Sequence, residues 1–110
     1  MGDLLDTANT VTGGRAELRW AEPQAIVDAG IEPWIELPIW LVPGPDHDFM
    51  HGGDVSRALA TGLRNRPVTG TVADTWAWLQ SIGGVAPQRP DRPTVGLDPD
   101  REAAFLASMP

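Results

Sequence analysis

Both histidines of this chain, His47 and His51, fall four residues apart in the run Asp46-His47-Asp48-Phe49-Met50-His51-Gly52-Gly53-Asp54, with three carboxylates beside them. Imidazole nitrogen and carboxylate oxygen together make a ligand set for a divalent metal ion. The flanks favour something plainer. Gly44-Pro45 and Gly52-Gly53 do not fix ligand directions, and the same composition describes an acidic surface loop leading into a helix cap. Upstream, Trp34 and Trp40 offer flat faces on which a sugar, nucleotide or aromatic ring could stack, although Trp among Leu and Ile at irregular spacing more often belongs to a core. Arg57, Arg64 and Arg66 carry the planar fork that binds phosphate or carboxylate bidentately. A cation near a helix C-terminus is favourable without any ligand, however, and Arg57 can pair with Asp54. Ser56, Thr71 and Thr75 are not nucleophiles, because no local spacing sets a histidine with an orienting carboxylate beside them.

Absences narrow the chemistry further. All eight basic residues are Arg and the chain has neither Lys nor Tyr, so no lysine amine and no tyrosine acid is available. It has no Cys either, which removes disulfides and thiolate metal ligands and leaves no mark of an oxidising compartment. Fifteen acidic residues against eight basic give a formal charge of −7, which repels phosphate backbones and anionic membrane surfaces. Neither nucleic acid nor membrane is expected as a partner. The acidic start MGDLLDTANTVTGG is unlike a signal peptide, and a cytoplasmic location is the expectation.

These residues must be positioned by short elements, since 11 Pro and 12 Gly interrupt 110 residues. Such a length corresponds to one domain, able to bury upwards of ~60% of its unfolded surface. Asp3 to Thr12 reads as an amphipathic helix with Leu4, Leu5, Ala8 and Val11 inward, ended by Gly13-Gly14. Ala16 to Trp20 alternates as a half-buried strand does, with Ala16, Leu18 and Trp20 on its inner face. Glu22-Pro23 opens a short helix that Gly30 closes. Residues 31–49 hold four Pro and two Trp and predict a buried or ligand-lining segment, with a helical turn over Pro33–Leu37 and extended backbone over 47–51.

Two helices joined by a basic turn follow. The first starts at Asp54 as N-cap, faces inward with Val55, Ala58 and Leu59, and stops at Gly62. The second starts near Thr69 or Thr71 and runs to about Ile82, with Val72, Trp76 and Leu79 on one face and Thr75, Trp78 and Ile82 on an adjoining stripe. Trp76 and Trp78 are expected in the core. Residues 83–96, rich in Pro and Gly, form a linker. A last helix is capped by Asp98, with Pro99 at its first position and Phe105, Leu106 and Met109 inward. The reading is an α+β lobe over 1–82, mostly helical with one or two short strands, then the linker and a C-terminal helix (97–110) docking on the same lobe.

Several motifs resemble, in order and spacing, the C-terminal substrate-binding region of NAD(P)-dependent epimerase/dehydratase proteins, the extended class of short-chain dehydrogenases/reductases. They are Gly2-Asp-Leu-Leu5, Thr12-Gly13, Pro33-Trp34-x-Glu36-Leu37-Pro38-x-Trp40, Asp54-x-Ser56-Arg57-Ala58, Gly62-Leu63-Arg64-x-Arg66-Pro67, Thr71-Val72-x-Asp74-Thr75-x-Ala77-Trp78 and Gly96-Leu97-Asp98-Pro99-Asp100-Arg101-Glu102. Nearly the whole chain is covered. The resemblance implies a lobe that closes over a substrate held against a nicotinamide on a Rossmann domain, with Trp34, Trp40, Phe49, His51 and Arg57 as substrate-contacting candidates. His51 stands where similar proteins often place a basic side chain ahead of the Asp54 helix. The chain departs from the class in having no Gly-rich dinucleotide fingerprint and no Tyr-x-x-x-Lys. Alone it is expected to bind no cofactor, to contain no Rossmann domain and to transfer no hydride. NAD(P) is implied only for a complete relative. Expected partners are a Rossmann domain in cis or trans, or a second copy in self-association, and a small-molecule substrate.

Overall fold

The computed structural model describes residues 1–110. Six helices are formed, α1 (Gly2–Val11), α2 (Pro23–Asp28), α3 (Pro45–His51), α4 (Ser56–Ala60), α5 (Val68–Ser81) and α6 (Pro99–Ser108). The chain divides into two compact units. One comprises Met1–Leu18 with Val55–Pro87, the other Arg19–Asp54 with Gln88–Pro110.

Glycine writes most of the helix ends. After α4, Gly62 (φ +103°) donates to the Leu59 carbonyl and Leu63 donates to the Ala58 carbonyl. That crossed pair satisfies carbonyls the helix leaves open, and it needs a residue free to adopt positive φ. The same crossed bonds close α1 at Gly13-Gly14, α2 at Gly30-Ile31 and α5 at Gly83-Gly84. Starts are written by proline: Pro23, Pro45 and Pro99 each open a helix, where a missing N–H removes no bond. Asp98 caps α6 as expected, its Oδ1 accepting from Asp100 N at 2.9 Å and Arg101 N at 3.2 Å.

In the first unit α1 packs on α5. Val72, Trp76 and Leu79 are half-buried, while Thr75, Trp78 and Ile82 on the neighbouring stripe stay exposed. The expected core role therefore holds in part for Trp76 and not for Trp78, because a single 10-residue helix covers only one side of so wide an apolar arc. No threonine caps α5, whose N-cap position is Pro67. The N-cap position of α4 falls on Val55 rather than Asp54. Its intended inner residues Val55 and Leu59 are exposed.

In the second unit α6 is tied to the turn that follows α2. Arg101 Nη1 pairs with Glu36 Oε1, and Arg101 Nη2 donates to the Gly30 carbonyl at 3.1 Å. Gly96 N donates to the Ile35 carbonyl at 2.9 Å. Glu36 accepts a further bond from Glu32 N at 2.7 Å.

Three expectations are corrected. The strand over Ala16–Trp20 is not formed: the stretch runs without turn or bend but beside no other strand, and a strand exists only by pairing. The nearest approach to a sheet is an isolated bridge between Pro33 and Leu37, so the fold is mostly helical. Residues 47–51, expected extended, belong to α3, because Pro45 at its first position and Asp46 and Asp48 in its first turn are the same start signals that α6 uses. The modest core is smaller than length suggests, with Ile31 the one buried hydrophobic residue.

Candidate functional site

The second unit gathers four of the five candidate substrate-contacting residues, and the backbone explains how. Pro38, with no N–H to give to the Trp34 carbonyl, keeps a helix from continuing past the turn over 33–37. The chain instead doubles back, with Glu36 N bonded to the Glu32 carbonyl (3.0 Å), Trp40 N to Leu37 O (3.1 Å) and Trp34 N to Trp40 O (3.0 Å). Trp34 and Trp40 are thereby joined through their main chains across the mouth of one tight turn. Trp40 is half-buried and Trp34 is 44% exposed.

Two residues of this turn are conformationally unusual. Trp34 has φ +67° and Ile39 has φ +68°. The left-handed region is unfavourable for any residue with a Cβ, most of all for a β-branched one. Surrounding bonds must hold such residues in place. For Ile39 that bond comes from α3: His51 Nε2 lies 3.0 Å from the Ile39 carbonyl, a contact that requires the proton on Nε2. A neutral His51 then keeps Nδ1 as an acceptor.

His47 and His51 lie one turn apart on α3, with ring centroids 5.1 Å apart and planes tilted by 57°. His47 Nδ1 is 3.0 Å from Asp48 Oδ1. With His51 directed at a carbonyl and His47 at its neighbour, the two imidazoles do not converge on a common point, and no group of three His, Asp or Glu side chains is arranged to hold a metal ion. Phe49, on the same helix, is 84% exposed, and Met50 and Ile39 are also uncovered.

Arg57 lies on α4, in the other unit. Arg66 is engaged elsewhere. It crosses the first turn of α5 beside Gly70, where a Cβ would come within 2.8 Å of Nη2, and pairs with Asp74 at 2.7 Å. Gly70 is what lets the guanidinium lie so close to the helix.

Two residues that shape the second unit have no local sequence signal. Arg101 and Glu36 are 65 positions apart, and nothing near either announces the other. Glu36 is only 15% exposed, so its carboxylate is spent on Arg101 and on the Glu32 amide rather than offered to a ligand. A shallow cavity of about 280 Å³ lies beside Arg101, lined by Ala29, Ile31, Ala104, Phe105 and Ser108.

The arrangement offers stacking faces (Trp34, Trp40), an exposed phenyl ring (Phe49) and one imidazole (His51). Comparison of the chain with protein-family models, with curated proteins and with solved structures finds no match.

Proposed function

We propose that this chain is the non-catalytic C-terminal substrate-binding lobe of an NAD(P)-dependent epimerase/dehydratase-like oxidoreductase, unable to transfer hydride alone. The observation that carries the reading is an incomplete interior. Ile31 is buried, while Trp34, Ile39, Val42, Phe49 and Met50, all within one short stretch, are left uncovered. Isolated exposed apolar residues are ordinary on any protein, but such a density in one segment marks a surface made to be covered. In this reading a Rossmann domain, in cis or trans, covers it and holds the nicotinamide. Trp34, Trp40, Phe49 and His51 of the second unit, and Arg57 of the first, are then the residues that contact the substrate. The lobe becomes α+β once the strand-patterned Ala16–Trp20 segment finds a strand to pair with. The absence of Lys and Tyr supports the division of labour, since the proton-transferring Tyr and the Lys that tunes it must then come from the other domain.

The reading is tested by calorimetric titration of the isolated chain with NAD⁺ and NADP⁺, and by mixing it with a Rossmann domain that carries a Gly-rich fingerprint and Tyr-x-x-x-Lys. No cofactor binding alone, and a one-to-one complex on mixing, are expected. Micromolar cofactor binding by the isolated chain would sink it. The alternative, a self-associating module that has kept this fold, is favoured by one specific feature of the Ala16–Trp20 segment.

A further inference from the structure

Residues Arg15 to Glu22 run without a turn or bend, and none takes a positive φ. One residue of the stretch is held. The Asn9 side-chain amide donates Nδ2 to the Ala16 carbonyl at 2.8 Å and accepts from Ala16 N at 3.0 Å. An amide that bonds both polar groups of one residue does what a neighbouring strand would do at that position. The peptide groups of Glu17 to Ala21 have no hydrogen bond of this kind to any part of the chain.

In an extended segment the peptide groups of alternate residues face the same edge. Asn9 therefore occupies the edge of Ala16, Leu18 and Trp20 at Ala16, and the opposite edge, of Glu17, Arg19 and Ala21, is open along its whole length. That open edge has a self-complementary pattern. Antiparallel pairing about a two-fold axis at Leu18 sets Glu17 opposite Arg19 of a second copy, Arg19 opposite its Glu17, and Ala16 opposite its Trp20. Both charged residues are exposed, and neither belongs to any of the chain's ion pairs. Like charges along an edge guard it against pairing; these two charges, placed symmetrically about Leu18, do the reverse. The small Ala16 leaves room for the large Trp20, which is 63% exposed in the single chain.

We infer that the chain forms a two-fold symmetric dimer by antiparallel pairing of residues 16–20 across the Glu17/Arg19 edge, with a second copy of itself as the occupant. A closed pair uses each open edge once, so the association stops at two. A paired segment this short belongs to the small, transient class of interface.

Sedimentation of the full chain over a concentration series tests the pairing. The wild type is expected to pass from monomer to dimer. Arg19→Glu turns two attractions into two repulsions and weakens the dimer about tenfold or more. Glu17→Arg does the same, and the double variant Glu17→Arg/Arg19→Glu restores it. Helical content should be the same in all four proteins, because the segment lies outside every helix. A wild type that stays monomeric throughout overturns the inference, as does a dimer indifferent to the single reversals or a double variant that is not rescued. The cofactor titration above reads independently of these outcomes, so a failed dimer and a failed functional assignment are separate results.

Discussion

Asp98 fixes the start of α6 through two backbone amides, and the structure gives those amides no other partner. Asp98→Ala should destabilise the second unit by about 1 kcal/mol, read from the midpoint of urea unfolding. Glycines divide in the same way by conformation. Gly62 has φ +103°, so Gly62→Ala places a Cβ where the backbone tolerates it poorly and should cost about 1–2 kcal/mol. Gly53 has open space around it and no left-handed backbone. Gly53→Ala should be neutral, or stabilising by up to about 1 kcal/mol through the unfolded chain. If the two substitutions behaved alike in unfolding experiments, conformation would not be what separates them. Asp98 and Gly62 were legible in the sequence because a cap and its partners are neighbours along the chain. Asn9 and Arg101 were not, because each acts on residues that only folding brings near.

At the scale of elements, the α1 and α5 pair shows how far one helix can protect another. Trp76 is half-buried on the covered face and Trp78 is 50% exposed beside it. Trp76→Ala should lose about 2 kcal/mol or more, and Trp78→Ala less than about 1 kcal/mol, by urea unfolding of each variant. Equal losses would mean that the stripe carrying Trp78 is covered in solution. The last helix depends on tertiary ties, since ten residues form a marginal helix in water. Arg101→Ala removes its bonds to Glu36 and Gly30, and amide exchange over 99–108 should accelerate well beyond that over α5. Unchanged exchange would assign the anchoring to Phe105 and Leu106 instead. Helix ends were readable because Gly and Pro punctuate them locally. The Ala16–Trp20 pattern was readable too, but a pattern of alternation specifies only a face, and the partner lies elsewhere. Residues 47–51 fold as helix rather than extended because Pro45 followed by acids is a helix start, a signal carried by residues ahead of the segment itself.

For the whole molecule, exposed apolar side chains set the thermodynamics. With Ile31 as the one buried hydrophobic residue, unfolding uncovers less surface than in a well-packed domain of this length, and the urea m-value should fall at the low end of the roughly 1–3 kcal/mol/M of small proteins. Addition of a domain that covers residues 34–50 should raise both m and midpoint, and a cooperative transition of normal steepness from the isolated chain would contradict the incomplete interior. The candidate site was partly legible at this scale: the Trp, Phe and His of the second unit were recognisable as types, whereas the positive φ of Trp34 and Ile39 and the hold of His51 on Ile39 are products of the folded turn. The Asn9 amide, finally, gives the molecule a clock. Water slowly converts such amides to carboxylates, a known frailty of asparagine. The change would put an oxygen where Nδ2 now meets the Ala16 carbonyl, two acceptors face to face. A gain of one mass unit at Asn9 would thus release the segment from its pin, and aged protein would differ from fresh in how readily that stretch finds its mate.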